Sequence, residues 1–217
     1  EELKRVVDIA IKHDLFVIGD EVYKEFIYDG LKHKSLLEFG EAADRVVVVD
    51  SISKRFSCCG ARIGAVITKN DQVYQAALKF AQARLCPPSI EQKAAIAAYK
   101  MGIGYFEPVR LEYQRRRDVL YEGLKAIPGV SLYKPQGAFY MIVKIPVKDV
   151  EKLVVWMLTD FNHENQTVMV APAEGFYSTP GKGLDEVRMA YVLNEEALRR
   201  SIVLFREGLA KYKAAVE

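Results

Sequence analysis

From Ser51 to Gly64 the chain reads Ser51-Ile52-Ser53-Lys54-Arg55-Phe56-Ser57-Cys58-Cys59-Gly60-Ala61-Arg62-Ile63-Gly64, and it supplies the groups best suited to chemistry. Two hydroxyls, Ser51 and Ser53, sit next to a lysine, Lys54, and an arginine, Arg62, follows eight residues later between Gly60 and Gly64. A partly desolvated lysine can lose its proton and attack a carbonyl. Hydroxyls and a guanidinium fork beside it suit a phosphate, and the glycines let backbone come close to a ligand. A solvated polar loop would use the same residue types, so the elements that hold these groups decide between the two readings.

The stretch follows four valines, Val46 to Val49, ending in Asp50. A short apolar run without helical period is the pattern of a buried strand. Upstream, Leu15 to Gly19 is a second such run, ending in Asp20-Glu21-Val22-Tyr23. An aspartate at the carboxyl end of a buried strand stands where α/β sheets place ligand-binding groups. A third group lies far downstream. In Glu186-Val187-Arg188-Met189-Ala190-Tyr191, alternation puts Arg188, Ala190 and Val192 on one face and Val187, Met189 and Tyr191 on the other. An arginine in so apolar a strand calls for an anion. A ligand carboxylate would serve, and so would a structural pair with Asp185 or Glu186.

The order Asp20-Glu21-x-Tyr23, Ser51-x-Ser53-Lys54 and Gly60-x-Arg62-x-Gly64 resembles the aminotransferases of the aspartate aminotransferase superfamily (class I/II, fold type I), which depend on pyridoxal 5′-phosphate; the likeness extends over essentially the whole chain. It implies that Lys54 is the catalytic lysine, forming a Schiff base with the cofactor aldehyde. It implies that Asp20 pairs with the pyridinium nitrogen, that Tyr23 bonds the ring hydroxyl, and that Ser51, Ser53 and Arg62 hold the phosphate. Arg188 would grip the substrate α-carboxylate. The chemistry is coherent, because the ring is the better electron sink while its nitrogen stays protonated, which a carboxylate enforces. The freed lysine amine can then move the α-proton.

The implied reaction moves an amino group between an L-amino acid, aspartate being favoured, and a 2-oxo acid such as 2-oxoglutarate. Alternatives on the same scaffold are a lyase or decarboxylase using the same cofactor, and a non-catalytic sensing domain. The implied fold is α/β: residues 1–105 as the C-terminal part of a cofactor-binding large domain with an incomplete mixed sheet, and residues 106–217 as a small α/β C-terminal domain. Leu3, Val6, Val7, Ala10 and Ile11 mark an amphipathic opening helix without a capping residue before it. In the resembled family that helix follows an Asn-Pro-x-Gly segment and several strands. The chain is therefore expected to be the C-terminal portion of such an enzyme, inactive by itself, and the full-length enzyme a homodimer.

Composition fits an ordinary soluble chain. Of 217 residues half are hydrophobic, and 31 Lys and Arg against 29 Asp and Glu leave +2. Nothing there favours nucleic acid or an anionic membrane, and no apolar run approaches the ~20 residues of a bilayer span. The three cysteines, Cys58, Cys59 and Cys86, are an odd set with a vicinal pair, which suggests a reducing, cytoplasmic setting. No histidine lies near them, so no metal is expected; His13 and His33 read as surface residues.

Further along, Tyr28-Asp29-Gly30 reads as a turn and Ile63 to Thr68 as a strand. A helix capped by Asn70 or Asp71 should run to Arg84 with Val73, Ala76, Ala77 and Phe80 inward. Ser89 should cap the next helix, and a long charged helix should span Phe106 to Ala126, with Arg115 to Arg117 mostly solvated and one or two of them in buried pairs. Strands are expected at 130–133 and 138–145 around a turn at Lys134 to Gly137, then at 167–171 and 187–192. Helices are expected over 150–161 and from Asn194 to the end.

Overall fold

The computed structural model describes residues 1–216. The chain divides into two compact units, Glu1–Pro108 and a second beginning at Val109.

In the first unit α1 (Glu2–Lys12) precedes β1 (Val17–Asp20), and β2 (Val46–Ser51) runs directly into a single helical turn, α2 (Ile52–Arg55). β3 (Gly64–Thr68), α3 (Asp71–Arg84) and α4 (Ser89–Tyr99) follow. The sheet order is β1-β2-β3, with β1 parallel and β3 antiparallel to β2. β2 alternates buried and half-buried positions, and Val46 and Val48 join Val7, Leu36, Phe39 and Ala42 in one core cluster. Val7 and Ala10 are the buried residues of α1, while Leu3, Val6 and Ile11 are exposed. A second cluster, Ile52, Phe56 and Ala95, fastens α2 to α4.

Local expectations fail at α3 and at the start of α4. Phe80 is 78 % exposed and α3 has no buried residue, because nothing among the described residues covers its apolar side. Ser89 is the first residue of α4 and its side chain makes no cap; Pro88 holds the cap position. His33 is exposed, as expected, and its Nε2 lies 3.0 Å from Glu21 Oε2. The turn at Tyr28 is present, with Asp29 and Gly30 at positive φ and Leu31 N–H donating to Tyr28 O at 3.1 Å. Asn70 caps α3, accepting from Val73 N–H at 2.9 Å.

The second unit takes most of α5 (Phe106–Lys125), then β4 (Ser131–Leu132), β5 (Tyr140–Lys144), α6 (Val150–Thr159), β6 (Ala171–Pro172), β7 (Glu186–Ala190) and α7 (Glu195–Val216). Its antiparallel sheet has the order β4-β5-β7-β6. Met141, Val143, Val187 and Met189 are buried on one face. Leu120 and Leu124 of α5 and Leu198 and Phe205 of α7 line a common space with Met189, so these helices cover that face. Arg117 is fully buried in α5 and donates to Pro135 O at 2.9 Å, while the exposed Arg115 pairs with Glu112 on the same helix. The expected strand at 167–171 shrinks to Ala171–Pro172, since only those residues pair with β7.

Candidate active site

Topology does the assembling in the first unit. β1 and β2 are parallel with Asp20 opposite Val49, so Asp20 and Ser51 emerge from the same end of the sheet. β3 runs the other way with Gly64 opposite Ser51, so Arg62, two residues earlier, enters at that end too. Adjacent strands lie about 4.8 Å apart. Asp20, Ser51, Ser53, Lys54 and Arg62 therefore gather at the carboxyl ends of β1 and β2, and Tyr23 follows in the turn after β1.

Lys54 stands on α2, not in an open loop. The turn begins because Ser51 is its N-cap: Ser51 Oγ accepts from Ser53 N–H at 3.0 Å. The same hydroxyl donates to Ile63 O at 3.0 Å and lies 2.8 Å from Ser53 Oγ, while Ile52 N–H donates to Ile63 O at 3.3 Å. Both ends of the Lys54–Arg62 segment are thus tied together. Lys54 itself is half-buried. Cys59 and Cys58 turn their thiols back onto this turn, donating to Ser53 O at 3.3 Å and Phe56 O at 3.1 Å.

Arg62 has left-handed backbone, φ 54° and ψ 40°. That conformation costs a non-glycine residue about 1–2 kcal/mol, and strain of this kind gathers at ligand sites. One guanidinium nitrogen donates to Cys59 O at 2.8 Å, and the side chain is exposed, leaving further donors of the fork open. Asp20 is exposed, and its Oδ1 accepts from Val22 N–H at 3.2 Å. Its neighbour Glu21 turns inward, accepting from Ser35 Oγ at 2.8 Å and Leu36 N–H at 3.0 Å, and so anchors the chain behind the strand end.

A buried charge cluster beneath Lys54 is absent from the sequence reading. Arg55 and Asp50 pair at 2.6 Å with side chains 5 % and 6 % exposed. Lys24 lies 3.2 Å from the same carboxylate, and Arg55 donates to Tyr99 Oη at 3.0 Å. Glu25 Oε1 is 3.3 Å from Arg55 Nε but off the line of a hydrogen bond, so that buried N–H has no hydrogen-bond partner. One signal was available: a carboxylate closing a run of buried valines must find a cation.

Arg188 belongs to the second unit. Alternation in β7 is as read, with Val187, Met189 and Tyr191 buried and Arg188 and Ala190 on the exposed face. Neither neighbouring acid takes it. Asp185 pairs with Lys144 at 2.8 Å, and Glu186 accepts from the Tyr177 hydroxyl. The guanidinium carbon lies 4.8 Å from the Phe176 ring centre and 5.4 Å from that of Tyr140. No helix among the described residues is long and apolar enough to cross a membrane.

Known proteins are similar to this chain in sequence and in fold. The aspartate aminotransferase of Sulfurisphaera tokodaii is 34 % identical over 209 residues, covering 95 % of this chain and 51 % of its own. The aspartate aminotransferase of Bacillus subtilis is 29 % identical, covering 98 % and 53 %. Among solved structures, the aromatic aminotransferase from Pyrococcus horikoshii superposes with a TM-score of 0.84 at 30 % identity, over 97 % of this chain and 55 % of that one. The aspartate aminotransferase from Thermus thermophilus with maleate gives 0.80 at 27 %, over 95 % and 51 %. The chain spans about half the length of the curated relatives it matches. The model of the family "Aminotransferase class I and II" matches residues 1–202. By that match this chain belongs to the class I and II aminotransferases.

Proposed function

We propose that this chain carries the lysine-bearing half of an aminotransferase site that moves an amino group from an L-amino acid, aspartate first, to a 2-oxo acid such as 2-oxoglutarate. The cofactor of the family is pyridoxal 5′-phosphate, which supplies an electron sink for the α-carbon. The observation that carries the reading is the convergence of Asp20, Ser53, Lys54 and Arg62 at one end of the β1-β2-β3 sheet. The donor set fits the group: a carboxylate for a ring N–H, a phenol, hydroxyls and an arginine fork for a phosphate, and an amine.

In this reading Asp20 would hold a proton on the ring nitrogen. Tyr23 bonds the ring oxygen, Ser53 and Arg62 bind phosphate, and Ser51 supports both by pinning the turn to Ile63. Lys54 would anchor the cofactor, and its amine would move a proton at the substrate α-carbon. Arg188 binds the substrate carboxylate. The relatives named as aspartate aminotransferases support the substrate assignment. The large-domain and small-domain assignment of 1–105 and 106–217, the homodimer and the cytoplasmic setting are proposed with it.

The chain is expected to take up cofactor weakly and to turn nothing over by itself. The test is borohydride trapping after incubation with pyridoxal 5′-phosphate, followed by peptide mass mapping. Label concentrated on Lys54 over the other lysines, and lost in Asp20→Ala and Arg62→Ala, is the expected result; label spread evenly over surface lysines overturns the site. Full-rate conversion of aspartate and 2-oxoglutarate by the 217-residue chain would overturn the expectation that it is inactive alone. In a longer protein that contains this chain, ammonia release without a 2-oxo acid would replace transamination with a lyase.

A further inference from the structure

Phe176 is a large apolar side chain that does not serve the core, being 57 % exposed. It closes a short 3-10 turn, Glu174–Phe176, directly after β6. That turn is fastened from several sides. Ala173 N–H donates to Glu186 O at 2.9 Å, and Phe176 N–H donates to Ala173 O at 2.9 Å. Tyr177 donates its hydroxyl to the Glu186 carboxylate and lays its ring over Gly183, where an added Cβ would stand 2.6 Å from the ring. An exposed phenylalanine held this firmly is placed for something other than burial.

What it meets is Arg188, whose guanidinium carbon lies 4.8 Å from the ring centre. Tyr140, at 5.4 Å, approaches from the other neighbour of β7. The sheet order explains the pairing. β5 and β6 flank β7, with Ile142 opposite Arg188 on one side and Ala171 opposite it on the other, so each flank contributes one ring. A ring face attracts a cation without neutralising it. A carboxylate from Asp185 or Glu186 would fill the donor fork, whereas both acids are engaged elsewhere, and among the described residues Arg188 makes no ion pair.

We propose that Phe176 and Tyr140 are positioning residues that hold the Arg188 guanidinium in place with its N–H edge open to a carboxylate. This rests on the reading of Arg188 as a carboxylate-binding residue. The rings restrict a long, many-rotamer side chain before the anion arrives, and ordering it in advance removes part of the cost of binding.

The test is nuclear magnetic resonance on the 217-residue chain, with the Arg188 Nε–H signal assigned by its loss in Arg188→Lys. Ring currents should move that signal away from those of the solvated arginines. Phe176→Leu should return it towards them, and Phe176→Tyr should keep it in place. Titration with propionate, a carboxylate that needs no cofactor, should show affinity falling about two- to five-fold in Phe176→Leu, the size expected for one exposed cation–π contact. Phe176→Tyr should restore it. Tyr140→Leu, a second and independent variant, should repeat both effects. An Nε–H signal unmoved by both leucine variants overturns the positioning role. Propionate affinity unchanged in Arg188→Lys overturns instead the carboxylate reading beneath it, and the two failures are read from different signals.

Discussion

Replacing Arg55 by methionine probes the buried charges under the lysine turn. The variant keeps side-chain bulk and helix propensity but leaves Asp50, 6 % exposed, without the guanidinium that lay 2.6 Å away. Breaking a buried pair by removing one partner costs about 3–5 kcal/mol. Lys24, at 3.2 Å, still faces the carboxylate, which places the expected loss at the lower end, about 3 kcal/mol. Asp50→Asn keeps an oxygen for the Ser51 N–H, held at 2.8 Å, but strands two cations beside Glu25, so it should also destabilise. The double variant removes both ends of the pair and should cost clearly less than the two single losses added together, a coupling of about 1–3 kcal/mol. Urea titration followed by amide exchange of β2 residues reads the first unit alone. A coupling below about 0.5 kcal/mol, the range of independent sites, would show that Asp50 and Arg55 do not depend on each other and would refute the reasoning.

Gly64→Ala would set a Cβ 2.9 Å from the Asp50 carbonyl oxygen, a backbone atom in the paired strand, so the same exchange measurement should show a loss of about 1–3 kcal/mol. Asp149 caps α6 by accepting from Lys152 N–H, which with the Lys152 side chain holds its carboxyl below the ordinary range. A lowered folded value means the contribution is complete above about pH 3.9 and is lost as pH falls through the folded value. Asp149→Asn should keep the helix cap and flatten that part of an acid unfolding curve. The hydrogen bond to Glu186 raises the Tyr177 phenol above its ordinary value. Its contribution is therefore complete below about pH 10 and disappears as pH rises through the raised value. Ultraviolet titration should show that Tyr177→Phe removes a late-ionising tyrosine.

The strands were the most legible part of the sequence. Val46 to Val49 carries a pattern that only a covered strand satisfies, and the even spacing around Arg188 fixes which residues of β7 face the core. The gathering of Asp20, Lys54 and Arg62 was legible through motif order. The direction of β3, which brings Arg62 back to the same edge, is a pairing decision that no local window contains. α2 was hidden for a different reason. It is one turn long, too short for periodicity, and exists because Ser51 caps it and Ile52 and Phe56 pack against Ala95. The Asp50–Arg55 pair depends on that turn and was hidden with it. Phe80 misled because a helical apolar spacing states which side could be covered, not that anything covers it.

Ser51 and Ile63 act as the base of a noose: the hydroxyl and the Ile52 amide both hold the Ile63 carbonyl, and everything from Ser53 to Arg62 hangs from that knot. Because a closed loop's entropy rises only with the logarithm of its length, doubling it costs about 0.6 kcal/mol. Within the noose the Cys58 and Cys59 thiols and the Arg62 bond to Cys59 O keep the amine at one end and the guanidinium at the other at their stations, so an inserted residue there would be opposed by those contacts rather than by loop entropy.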